Sequence, residues 1–206
     1  RQDLDIEFRK NSILQNQKHI ELVNRYASQT KALVSTTSHR DTLVARLIEA
    51  KFDIFWWNPL VDDPHQPDSI TQQLYNIKKL PCINTGGTVG TAAWVIASTY
   101  CKIPVIGVVG MDYGYYADTP YNQTQTYYEL IEQIGTSENI DRYFHKTEFP
   151  LTGEKFYTDT TYYWYKQNFL DLMSKTNTKT YNCTEGGTLF GDNIECLFLE
   201  QFLSTF

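Results

Sequence analysis

The sequence predicts an α/β protein with a doubly wound, mostly parallel sheet, and three observations carry that reading. From Ala32 onward, short apolar runs alternate with amphipathic stretches, the pattern of repeated βαβ units. The most apolar run, Ile103-Pro-Val-Ile-Gly-Val-Val-Gly-Met111, reads as a strand buried on both faces. Two glycine pairs, Gly86-Gly87 and Gly186-Gly187, stand where a strand would hand over to a helix.

In chain order, residues 1–30 are rich in Gln, Asn and charge. Their apolar positions Ile6, Ile13, Leu14, Ile20, Leu22 and Val23 suggest helix. A strand is expected over 32–36. A helix over 41–51 follows because Leu43, Val44, Leu47 and Ile48 share one face, then an aromatic strand over 52–57. The pattern continues with a helix over 68–80, a short strand over 82–84, a helix over 88–100 and a strand over 105–109. Regularity then fails between about 111 and 160, apart from helices predicted over 123–134 and 139–144. It returns as a helix over 161–174, a strand over 179–183 and a last helix over about 189–203. No Gly/Ser-type linker interrupts the chain, so a single domain is expected over 1–206. The irregular, aromatic-rich insert lies just past the 105–109 strand, where open α/β sheets form their ligand crevice.

Composition narrows the function classes. The 206 residues carry a formal net charge of −6 and 15% aromatics, with 20% charged residues, which excludes a disordered or collagen-like chain. The acidic balance, with no Lys/Arg stripe, argues against a nucleic-acid binder. No apolar run approaches the roughly 20 residues of a membrane-spanning helix. The four cysteines, at 82, 101, 183 and 196, form no C-x-x-C pair, so zinc is not expected and free thiols are. The charged opening Arg1-Gln-Asp-Leu-Asp has no apolar stretch behind it, which points to the cytoplasm. The first residue is not Met, and an upstream part of the gene product is therefore expected.

Candidate chemistry sits at the loops. Cys82-Ile-Asn-Thr-Gly-Gly-Thr-Val-Gly90 and Cys183-Thr-Glu-Gly-Gly-Thr-Leu-Phe-Gly191 resemble each other. Glycines there permit positive φ and close approach of a ligand to bare N–H groups, while Thr88 or Thr188 would cap the following helix. One reading is a phosphate cradle; the other is a pair of tight βα turns with no ligand. Neither loop has a cation beside it, so a phosphorylated ligand would need another source of positive charge. A divalent ion such as Mg²⁺, held by Asp112 at the end of the apolar strand, would supply it. The alternative for Asp112 is a side-chain cap on the next turn. Asp118 reads as a solvated loop residue. Tyrosines crowd the insert and suit either stacking on a planar or sugar ring or packing a small core of their own. Tyr121, in Thr119-Pro-Tyr121, is the stacking candidate. Of the histidines at 19, 39, 65 and 145, His145 is the candidate general base. No G-x-S-x-G motif or Ser/His/Asp spacing supports a hydrolase.

Asn84-Thr-Gly-Gly-Thr-Val-Gly-Thr-Ala-Ala93, Gly110-Met-Asp-Tyr-Gly114 and Asn182-Cys-Thr-Glu-Gly-Gly187, in that order, resemble the 6-hydroxymethylpterin diphosphokinase MptE-like family. That family also includes the Maf-type motility-associated glycosyltransferases. The resemblance covers roughly residues 30–205 and extends to the core of some bacterial sialyltransferases. It implies a Rossmann-like fold and a transferase with a nucleotide-type donor, either a diphosphokinase or a nucleotide-sugar glycosyltransferase. The family's G-x-G-P-S-L turn is absent before Asn84, which leaves a non-catalytic binding module as the alternative. The expected ligand-binding residues are Asn84, Thr85, Gly86, Gly87, Thr88, Tyr121, Thr184, Glu185, Gly186 and Gly187. Asp112 and His145 are the catalytic candidates, and Asp112 is also the metal ligand. The expected partner is a phosphorylated or nucleotide-linked small molecule; homo-oligomerisation stays open.

Overall fold

The computed structural model describes residues 17–18 and 20–205. The expectations for Ile6, Ile13, Leu14 and His19 therefore lie outside the described residues. The chain is mixed α/β, and it divides between Asn84 and Thr85 into two compact units where the sequence reading expects one domain.

In the first unit, residues 20–26 are helical, and three parallel strands follow in the order β1-β2-β3: Lys31–Ser35, Asp53–Pro59 and Cys82–Ile83. Helix α1 (Ala45–Glu49), entered through a wider turn over Arg40–Val44, joins β1 to β2. Helix α2 (Ile70–Lys78) joins β2 to β3. Its start is written locally: Ser69 accepts from Gln72 N at 3.1 Å as N-cap, and the left-handed Lys79 (φ 53°) ends it. Asn58, at the end of β2, is 2% exposed and accepts from Thr36 Oγ1 at 2.9 Å, tying the ends of the first two strands together.

The second unit holds two sheets. One is parallel, in the order β4-β8-β9: Val105–Val108, Lys179–Asn182 and Glu195–Cys196. Helix α3 (Val89–Val95, running on as a wider turn to Tyr100) precedes β4. Helix α5 (Thr160–Ser174) precedes β8. Their shared core is aromatic: Trp94 and Phe169 meet edge to face at 5.3 Å, and Trp94 Nε1 donates to Thr180 Oγ1 at 3.0 Å. The other sheet is antiparallel, in the order β5-β7-β6: Tyr115–Tyr116, Lys155–Thr158 and His145–Glu148. It lies inside the stretch that the sequence reading leaves irregular, together with helix α4 (Tyr127–Ile134). Ile140, Phe144 and Tyr157 are buried there, flanked by Tyr115, Tyr121, Tyr127 and Leu130. Tyr115, Tyr121, Tyr127 and Tyr157 thus pack in a core of the insert's own, while Tyr116, Tyr128 and Tyr143 are exposed.

The end of the chain departs from expectation. The helix predicted over about 189–203 is instead a bridge between Gly191 and Ile194, then β9, then the shorter helix α6 (Leu199–Thr205). Gly191-Asp192-Asn193 interrupts the apolar periodicity with a turn, and Leu189 and Ile194 are buried by tertiary packing. The described helices include none long and apolar enough to cross a membrane.

Candidate functional site

Three loops of the second unit converge at the carboxyl ends of β4 and β8. The first, over 85–88, turns through left-handed Gly86 and Gly87 (φ 58° and 94°) into α3. Thr88 caps that helix, accepting from Thr91 N at 3.1 Å. The second, over 110–114, follows β4. The third, over 183–188, follows β8 and is shaped by Asn182, which is fully buried. Its Nδ2 donates to Leu189 O at 2.7 Å and its Oδ1 accepts from Thr184 N at 2.9 Å. The loops bond one another. Tyr113 OH lies 2.9 Å from Thr91 Oγ1 and 3.3 Å from Thr88 Oγ1, and Thr188 N donates to the Asp112 carbonyl at 2.7 Å.

Between the first two loops and helix α5 opens a cavity of about 360 Å³, lined by Thr88, Gly90, Met111, Asp112, Tyr113 and Tyr162 among others. Asp112 is exposed, yet the protein packed beside it pushes its carboxyl above the ordinary carboxylate value; burial is the sole cause. No donor or cation among the described residues meets its carboxylate oxygens. A side-chain cap would have pulled the value down, so the capping alternative does not describe Asp112. Among the described residues no Lys, Arg or His lines the cavity. The titratable side chains in its wall are Asp112, Tyr113 and Tyr162.

The other sequence-selected residues fall in several places. Asn84 closes the first unit, while Thr85 opens the second and accepts from Thr88 N at 3.3 Å. A Cβ on Gly86 would stand 2.5 Å from Thr91 Cγ2, and one on Gly87 2.5 Å from the Tyr165 ring, so close packing already requires both glycines. Thr184 Oγ1 accepts from Met111 N at 3.4 Å, and Gly186 packs beside Phe156. The Glu185 carboxylate accepts from Leu199 N at 3.0 Å and so sits at the start of α6. Thr188 does not cap a helix: it is 1% exposed, and both its N–H and its hydroxyl donate to carbonyls of the second loop. Tyr121 stacks on Phe144 at 4.4 Å and joins the insert's core. His145 is exposed at the start of edge strand β6, its ring 6.1 Å from that of Tyr163, and is not a lining residue of the cavity. Asp118 is an exposed loop residue.

The sequence places Tyr113 only among the crowd of tyrosines weighed for stacking, and it does not point to Thr91. The signal for Tyr113 was its place beside Asp112; Thr91 carried none beyond its position three residues after a cap.

A second cavity, of about 460 Å³, opens at the amino end of the same sheet, among Ser98, Lys102, Lys175 and Asn177. The turn ending at Tyr100 and helix α5 both finish there, where lysines offset the negative ends of helix dipoles. Its charge therefore has a structural explanation. No three His, Cys, Asp or Glu side chains among the described residues form a group that could cage a metal ion. Asp112 offers one carboxylate, which with substrate phosphates and water is a normal Mg²⁺ arrangement. The chain matches no protein-family model, no curated protein and no solved structure.

Proposed function

We propose that the second unit carries the site of a transferase with a nucleotide-type donor, as the resemblance to the MptE-like diphosphokinases and Maf-type glycosyltransferases implies. One observation carries the reading: a carboxylate, Asp112, that is unpaired among the described residues and stands on the rim of a cavity at the carboxyl end of a parallel strand. The doubly wound, Rossmann-like architecture belongs to the same proposal, supported by parallel strands joined through helices in each unit.

The electrostatics constrain the donor. A bare polyphosphate would meet the Asp112 carboxylate with no compensating cation among the described residues of the cavity wall, which is repulsive at short range. Asp112 is suited to hold Mg²⁺ that arrives with the phosphates, and that ion would supply the charge neutralisation phosphoryl transfer needs. Tyr113 and Tyr162 contribute aromatic wall, and the left-handed glycines let the chain turn tightly into the cavity's edge. Diphosphoryl transfer is the better-supported branch, because His145, the base that glycosyl transfer would employ, does not line the cavity.

Calorimetric titration with ADP and ATP, with and without Mg²⁺, tests the reading on the wild type and on Asp112→Asn. The expected outcome is binding that requires Mg²⁺ and is lost in Asp112→Asn. Binding of no nucleotide, or binding indifferent to both the ion and the substitution, overturns it in favour of a non-catalytic module.

A further inference from the structure

We propose that the threonines of the two Gly-Gly-Thr segments are positioning residues, which grip the Asp112-Tyr113 segment from two sides and aim the Asp112 carboxylate into the cavity. The inference rests on the reading of Asp112 as the ligand-contacting group.

The grip is made of named bonds. On one side, Thr188 N donates to the Asp112 carbonyl at 2.7 Å, and Thr188 Oγ1 lies 2.7 Å from the Tyr113 carbonyl and 3.3 Å from that of Asp112. On the other, the Tyr113 hydroxyl lies 2.9 Å from Thr91 Oγ1 and 3.3 Å from Thr88 Oγ1, and the two threonine oxygens are themselves 3.0 Å apart. The Tyr113 ring is 8% exposed and is flanked edgewise by Tyr162 and Phe169 at 6.5 and 6.4 Å. The segment cannot relax sideways. A Cβ at Gly187 would sit 2.6 Å from both Cα and the carbonyl oxygen of Asp112, so only glycine lets the third loop close on the second. Tyr113 itself has φ 49°, a backbone that a bulky residue keeps only where its surroundings hold it.

The arrangement explains why two similar segments a hundred residues apart in sequence do different local jobs. Thr88 caps a helix and Thr188 does not, yet both bond to the same two-residue segment. A carboxylate with no partner of its own owes its direction to the backbone that bears it, and here that backbone is tied at both carbonyls and through the next side chain.

Thr188→Val removes the hydroxyl donor and keeps the shape, Thr188→Ser restores the hydroxyl, and Tyr113→Phe cuts the link to Thr88 and Thr91 without touching the helix cap. Two readouts apply to each: affinity for Mn²⁺–ADP by calorimetry, and hydrogen exchange of the residue-188 amide, which is bonded to the Asp112 carbonyl. Thr188→Val and Tyr113→Phe are each expected to weaken Mn²⁺–ADP binding by about tenfold or more, as loss of an orienting partner does. Both should also speed exchange of the residue-188 amide; Thr188→Ser should behave as wild type. Amide exchange at 188 unchanged in both Thr188→Val and Tyr113→Phe overturns the grip, as does a Thr188→Ser variant that fails like Val. Should wild type bind no Mn²⁺–ADP, or Asp112→Asn bind it equally well, the functional reading fails. The amide exchange still decides the grip separately.

Discussion

Asp62 and Asp112 each follow a parallel strand, one in each unit, and their surroundings are opposite. Asp62 accepts from Ser69 Oγ at 2.7 Å, from Thr71 N at 3.1 Å and from Ile70 N at 2.7 Å, which draws its carboxyl from 3.8 down to about 2. Its bonding capacity is spent on starting helix α2. Among the described residues Asp112 meets no side-chain donor; its backbone is held, and burial raises its carboxyl. The contrast separates a carboxylate that builds the fold from one available to a ligand, although both occupy the position at which open α/β proteins concentrate chemistry. Strand-end position nominates an aspartate, and its hydrogen bonds decide between the two roles.

The strongest way to break the contrast is to disturb the ground under Asp112. Gly187→Val would press a side chain into the Asp112 backbone at φ 79°, and a stability loss of about 3 kcal/mol is expected in urea denaturation. Gly110, also left-handed at φ 74° but with nothing within 4 Å of its added Cβ, should lose only about 1 kcal/mol when replaced by Ala. Equal losses would mean that backbone conformation, rather than contact with Asp112, sets the requirement at 187.

On the other side of the comparison, Ser69→Ala removes both the N-cap of α2 and a donor to Asp62. A loss of about 1–2 kcal/mol is expected for a buried cap of this kind. Unfolding measured in the same way checks it, and no loss would show that Asp62 alone starts the helix.

The smallest effects sharpen the contrast through pH. Asp62 titrates lower in the folded chain than in the unfolded one, so its contribution is present above the ordinary carboxylate value and fades as pH falls through it toward about 2. Asp112 has the reverse sign. Its raised value makes the folded state the better proton acceptor, so stability declines as pH rises from the ordinary value through the folded one. Melting temperatures across pH 2–7 should therefore show Asp62→Asn less stable than wild type near neutrality and level with it at the acid end. Asp112→Asn should instead gain stability near neutrality. Two variants with slopes of the same sign would contradict the assignment.

Local patterns anticipated much of this structure. Strands β1, β2, β4 and β8 stand where β-branched and aromatic runs predict them, and helix α5 begins one residue from its expected start, behind the Asp159 cap. The cap at Thr88, the left-handed glycines and the place of Asp112 at the end of a strand were equally legible, because each depends on neighbours in sequence. The antiparallel sheet was not. Tyr115–Tyr116 is too short to carry a period, and His145-Lys-Thr-Glu148 has no apolar alternation; both are strands because Lys155–Thr158 lies between them and pairs with each.

The sequence by itself determined which residues could turn, cap or pair, since φ preferences and apolar spacing act over a few residues. The tertiary structure alone decided what those residues do. Thr88 and Thr188 share a motif, but only the chain's return across 76 positions sets the Thr188 hydroxyl against the Asp112 carbonyl, and the chain after Thr188 forms no helix for that hydroxyl to cap. Tyr121 likewise had a ring suited to stacking on a ligand, and the fold gave it Phe144. Hydrogen bonds and ring contacts between distant segments depend on which surfaces burial brings together, and a local pattern holds no information about that partner.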